Sequence, residues 1–159
     1  MSEFVRGIIA DVVVTEIFRH VDERGWLAEL YREDTVGSQY RPVMSYFSMT
    51  QPDVVRGPHE HAEQADCFAF IGPSDFKIYL WDARTKSPSY MTLQIIVAGE
   101  NSPKSVIIPP GVVHAYKNIG GKLGAVLNFP NRLFGGRGKT EPIDEIRHES
   151  DPNSPFVLD

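Results

Sequence analysis

Cysteine is nearly absent from this chain. Cys67 stands alone among 159 residues, so no internal disulfide can form, and a reducing cytoplasm is the expected setting. Long apolar runs are missing as well. None approaches the roughly 20 residues of a spanning helix, so no membrane partner is expected. The stretch from Met1 to Phe18 lacks a basic start, and Asp11 interrupts its apolar run, so no secretory leader is expected. Positive charge is in deficit. Sixteen Lys and Arg against 21 Asp and Glu give a formal net charge of −5, which argues against a nucleic-acid partner while leaving room for a local basic pocket. No long helical pattern, repeat or linker stands out, so residues 1–159 read as a single domain.

Turn residues are plentiful by contrast. Twelve prolines and thirteen glycines punctuate short apolar or alternating segments. Strands are predicted over 8–17, 26–31, 43–50, 54–61, 67–71, 76–81, 91–95, 105–108, 112–118 and 124–129. In two of them the alternation assigns an inward face, Phe76, Ile78 and Leu80 in one and Met91, Leu93 and Ile95 in the other. From Asn131 to Asp159 the chain is polar and rich in Gly and Pro, and it reads as an irregular tail. Many short strands without a long helix predict an all-β sandwich or barrel.

The chemistry concentrates in Arg56-Gly57-Pro58-His59-Glu60-His61. Residues two apart in a strand share a face, so both imidazoles point one way. Converging imidazoles can hold a proton, a metal or an anion, and Arg56 adds a guanidinium shaped for phosphate. A further histidine follows in Pro109-Pro110-Gly111-Val112-Val113-His114-Ala115-Tyr116-Lys117-Asn118. That segment resembles the second cupin signature, P-x-G-x-x-H-x-x-x-N. The resemblance implies a cupin jelly roll with N-terminal strands and an irregular C-terminal tail. Gly138-Lys139-Thr140 lacks the first glycine of a phosphate loop, since Leu133 stands there, and reads as a solvated turn.

Three further pieces resemble the dTDP-4-dehydrorhamnose 3,5-epimerase family: Asp22-Glu23-Arg24-Gly25 with Glu29, Arg56-Gly57-Pro58-His59, and Asp82-Ala83-Arg84 with Ser87-Pro88. The resemblance runs from about residue 10 to 118. It implies an enzyme that shifts protons beside the 4-keto group of a nucleotide-linked sugar, without a cofactor and as a homodimer. By the same resemblance His59 is the general base, and Arg24, Glu29, Arg56 and His114 bind the sugar or its diphosphate.

The chain departs from the family pattern in ways that bear on mechanism. No tyrosine follows Tyr116, whereas the family places a tyrosine acid after its last core strand. Asp66 falls near the place of the family's lysine, and no C-terminal acid can be aligned. His61 and Asp66 are therefore the expected proton-handling replacements, with His61 preferred because its ordinary pKa lies nearer working pH. An alternative function uses the same side chains. His59, His61, Asp66 and His114 resemble a cupin metal set for one divalent transition metal, as in an oxygenase or a small-ligand binder, with Glu63 competing for the acid's place.

Overall fold

The structure, a computed structural model, describes residues 3–159. Among these, strands dominate: β1 (Val5–Arg6), β2 (Val13–Glu16), β3 (Arg19–Asp22), β4 (Gly25–Ala28), β5 (Tyr46–Thr50), β6 (Val55–Glu60), β7 (Asp66–Phe70), β8 (Asp75–Asp82), β9 (Thr92–Gly99), β10 (Lys104–Ile108), β11 (Val112–Asn118), β12 (Gly124–Asn128) and β13 (Ile146–Arg147). They form a six-stranded sheet, β1-β9-β8-β11-β6-β13, facing a five-stranded sheet, β2-β10-β7-β12-β5. The expected jelly roll is what the chain adopts. No helix is long and apolar enough to cross a membrane among the described residues.

Alternation builds the core between the sheets. Phe76, Ile78 and Leu80 point inward as predicted, against Phe68, Val106 and Val126 from the opposite sheet. The prediction for β9 needs correction. Ile96 and Ala98 face this core, while Leu93 and Ile95 lie on the outer face beside Trp81 and Tyr79. The reason is long-range. Phe156 and Leu158 from the tail, with Phe4, cover that outer face, so both sides of the sheet are apolar there and the period-2 signal cannot choose between them.

Asn118 ends β11 as the motif predicts. Its Oδ1 accepts from Gly120 N at 3.0 Å and Ser74 Oγ at 2.7 Å, and its Nδ2 donates to the carbonyls of Thr50 and Lys122. At the other end Gly111, at φ 76°, makes the turn that starts the strand, and its N–H donates to the His61 carbonyl at 2.8 Å. These two ends hold His114 in mid-strand, buried opposite His59 on β6.

The segment of β3 and β4 is a separate two-stranded hairpin. It leaves Val21, Trp26 and Leu27 exposed, with the Arg19 guanidinium over the Trp26 ring.

Candidate active site

The spacing of Arg56 and His59 poses a problem for a regular strand, because residues three apart face opposite ways. A bulge resolves it. In the β6–β11 ladder His59 pairs with His114, but Arg56 pairs with Tyr116, so β6 carries one extra residue at Gly57-Pro58. Arg56 and His59 thereby reach the same cavity. Gly57 adopts φ 85°, and a Cβ there would meet the His114 carbonyl oxygen at 2.5 Å. Gly57→Ala is expected to destabilise the fold by more than ~1 kcal/mol and to lower activity with it. A melting temperature equal to wild type would show that the bulge tolerates a side chain.

The cavity holds about 850 Å³ between the sheets, and Arg56, His59 and His61 line it. The three imidazoles converge, with His59 and His114 centroids 4.4 Å apart and His59 and His61 5.7 Å apart. They differ in their partners. His61 Nδ1 donates to the Asp144 carbonyl, and its Nε2 lies 3.2 Å from Asp66 Oδ2. His114 Nδ1 donates to the Val112 carbonyl at 3.0 Å, and its buried Nε2 lies 3.3 Å from the same Asp66 oxygen without a well-aligned bond. The other Asp66 oxygen accepts from Gln64 Nε2 at 2.9 Å and Asn128 Nδ2 at 2.8 Å. No protein hydrogen bond reaches the His59 ring among the described residues.

Charge follows from these contacts. Burial, reinforced by the neighbouring His114 and His61, lowers the His59 pKa to about 3 from an ordinary 6.5, so the ring is neutral at working pH. For Asp66 burial acts upward, but the facing His114 and His61 rings outweigh it and hold the carboxyl well below its usual range. For His61 burial acts downward, yet Asp66 and the Asp144 carbonyl raise its pKa overall. Asp66 is thus an ionised carboxylate that anchors the neighbouring rings.

The sequence-predicted residues divide into two groups. Arg56, His59, His61, Asp66 and His114 come together. Arg24 and Glu29 do not join them within one chain. Arg24 pairs with Asp22 on the exposed hairpin, and Glu29 pairs with Arg32. Other contributors carry no local signal in the sequence. Asp144 sends its carboxylate to the backbone N–H groups of Ala62, Glu63 and Gln64 at 2.8–2.9 Å, so a C-terminal acid does serve the site. Arg147, in register with His59, and Lys139 add cations to the cavity wall. Tyr46 and Ser48 line it from β5.

A metal would draw on His59, His61 and His114, whose ligand atoms lie within 4.8 Å of one another. The donors are directed otherwise. Nε2 of both His61 and His114 faces Asp66 Oδ2, and the second Asp66 oxygen is taken by two amides. Two of the three rings thus converge on a carboxylate already present in the site.

An imidazole-lined cavity between the sheets of a jelly roll, with Arg56, Lys139 and Arg147 beside Glu145 and Glu149 on its wall, defines a cupin, and an imidazole facing it can move a proton at carbon. The chain belongs to the dTDP-4-dehydrorhamnose 3,5-epimerase family, whose sequence model matches residues 7–124, and with it to the nucleotide-sugar isomerases. It is 36% identical over 128 residues to a probable low-salt glycan biosynthesis epimerase, Agl13, of Haloferax volcanii, covering 79% of this chain and 81% of the relative. It is 31% identical over 113 residues to the spore coat polysaccharide biosynthesis protein SpsL of Bacillus subtilis, covering 71% and 74%. The fold matches a dTDP sugar isomerase from Desulfovibrio desulfuricans G20 with a TM-score of 0.80, at 21% identity over 95% of this chain and 91% of the other. It also matches RmlC from Legionella pneumophila, solved with dTDP-4-keto-L-rhamnose, with a TM-score of 0.76, at 20% identity over 98% and 81%.

Proposed function

We propose that the protein epimerises a 4-keto-6-deoxy sugar carried on a nucleoside diphosphate of the dTDP type, with His59 as the base. The observation that carries this reading is the placement of the His59 ring, without a protein hydrogen bond among the described residues, on the cavity wall that Arg56 also lines. A neutral imidazole can take the proton next to a carbonyl. Arg56 is oriented by bonds to Thr50 Oγ1 at 2.9 Å and the Met49 carbonyl at 2.8 Å, so its remaining N–H groups are preset for the diphosphate. Lys139 and Arg147, the latter paired with Glu145, complete the binding wall, and His114, 2% exposed, supports the His59 ring from the paired position on β11. His61 and Asp66 act by position, since both His61 nitrogens are taken by protein partners. The names of both curated relatives point to glycan assembly, which supports a sugar-nucleotide substrate made for polysaccharide. The reaction belongs in the cytoplasm, where the buried Cys67 stays reduced.

The test is incubation with a dTDP-4-keto-6-deoxyhexose in D₂O, followed by NMR. Deuterium should enter at carbon next to the keto group. Failure of every 4-keto nucleotide sugar to exchange, together with a stoichiometric metal in the purified protein, would instead favour the metal-binding alternative.

The working unit in this reading is a homodimer. The outer face of the five-stranded sheet exposes Phe47 and Met49 at 61% and 40%, and the hairpin exposes Val21 and Leu27 at 76% and 60%. A second copy covering these surfaces would bring Arg24 and Glu29 to its partner's cavity. Light scattering at micromolar concentration should give twice the chain mass of 17.9 kDa, and a monomer would remove Arg24 and Glu29 from the site.

A further inference from the structure

The cavity wall opposite His59 carries a phenol whose proton has no acceptor in the protein. Tyr46 stands on β5 in the five-stranded sheet, whereas His59 stands on β6 in the six-stranded sheet, and both line the cavity. The hydrogen bonds of Asn128 settle the direction of the Tyr46 hydroxyl. Asn128 Oδ1 accepts from the Cys67 backbone N–H at 3.1 Å, which fixes the amide's orientation. Its Nδ2 then spends one hydrogen on Asp66 Oδ1 at 2.8 Å and the other on Tyr46 Oη at 2.7 Å. Tyr46 Oη is therefore an acceptor toward Asn128, and its own proton is free to point elsewhere. No other protein partner of that oxygen exists among the described residues, and Tyr46 lines the cavity.

Tyr116, the other phenol on the cavity wall, is placed differently. It is 5% exposed, wedged among Phe68, Phe70 and Phe76, and shares a strand with His114 on the base's own sheet. Tyr46 is 44% exposed and lines the cavity from the other sheet.

From this placement we infer that Tyr46 is the catalytic acid that delivers a proton to the face of the enolate opposite His59. The inference rests on the proposed epimerase reading. In the first step His59 removes the proton from carbon, the C–H electron pair moves into the carbonyl, and an enolate forms beside an imidazolium. In the second step the Tyr46 O–H bond breaks, its proton joins the same carbon from the other face, and the ketone re-forms with inverted configuration. A phenolate remains, facing the Asn128 N–H that already donates to it. Proton transfer from the His59 imidazolium to the phenolate through solvent restores both groups. Burial, with the nearby charge of Asp66, raises the phenol's pKa, so it is protonated at the start of each turnover.

The experiment compares wild type and Tyr46→Phe on a dTDP-4-keto-6-deoxyhexose in D₂O. NMR follows deuterium entry and inversion at the same carbon. Tyr46→Phe should keep deuterium entry with retained configuration within a few-fold of wild type, because His59 still removes a proton and returns a deuteron. Inversion should fall by ~10²-fold or more, the range for losing a general acid. Retained exchange also reports that the variant is folded. Inversion at the wild-type rate would overturn the assignment while leaving the epimerase reading intact. Parallel loss of exchange and inversion would overturn it too, by giving Tyr46 a role in binding instead. Absence of exchange in the wild type would remove the epimerase reading and the assignment together.

Discussion

His59→Ala should reduce turnover on a 4-keto nucleotide sugar by ~10²–10⁴-fold, the range for removing a general base, with little change in affinity. The ring makes no protein hydrogen bond among the described residues, and it borders an open cavity, so its loss leaves few packing partners stranded. Stability at neutral pH should therefore stay near wild type, and the acid response should change in a defined sense. His59 has a folded pKa of about 3, below its ordinary 6.5, so the unfolded chain binds more protons between those values. Its contribution to stability is present above pH 6.5 and is lost as pH falls toward 3. His59→Ala should show a shallower decline over that window. Turnover by single-turnover assay and melting temperature from pH 7 to pH 4 measure both effects. Unchanged turnover would end the role of His59 as base.

Asp66→Ala should be the most damaging change to stability among the residues of the histidine cluster. Its carboxylate is 1% exposed and faces His61, His114, Gln64 and Asn128 together. Removing one partner of a buried, charge-assisted cluster costs about 3–5 kcal/mol, because the remaining groups keep their desolvation without their acceptor. For a domain of this size that corresponds to a fall in melting temperature of roughly 6–20 °C. The sign with pH is again fixed. The folded pKa of Asp66 is depressed, so its contribution is present above its unfolded value near 3.8 and is lost as pH falls below it. The difference between wild type and Asp66→Ala should therefore narrow in acid. A variant melting within ~2 °C of wild type at pH 7 would mean that the cluster does not depend on this carboxylate.

Local spacing made part of this site legible in the sequence. His59 and His61 share a face because they are two apart, and the turn before β11 places His114 beside them. The reach of Arg56 into the cavity was legible only as a motif, because its spacing from His59 requires a bulge that alternation does not announce. Asp144 lies 83 residues from His61, and the bond between Asn128 and Tyr46 spans 82. Such pairs are made by the crossing of strands, and no period in a single chain encodes them. Alternation cannot choose the face of β9 for a related reason, since the residues that cover its outer side arrive from the far end of the chain.

The division of the site between two sheets has a mechanical consequence. His59, Arg56 and His114 belong to one sheet, and Asp66, Asn128 and Tyr46 to the other. The width of the gap that a sugar ring must span is thus gauged by the apolar filling beneath it, where Phe68 and Phe70 meet Ile78 and Tyr116. Close-packed interiors transmit a change of one methylene instead of absorbing it. The barrel works as a caliper whose jaws are the two cavity walls and whose setting screw is the core.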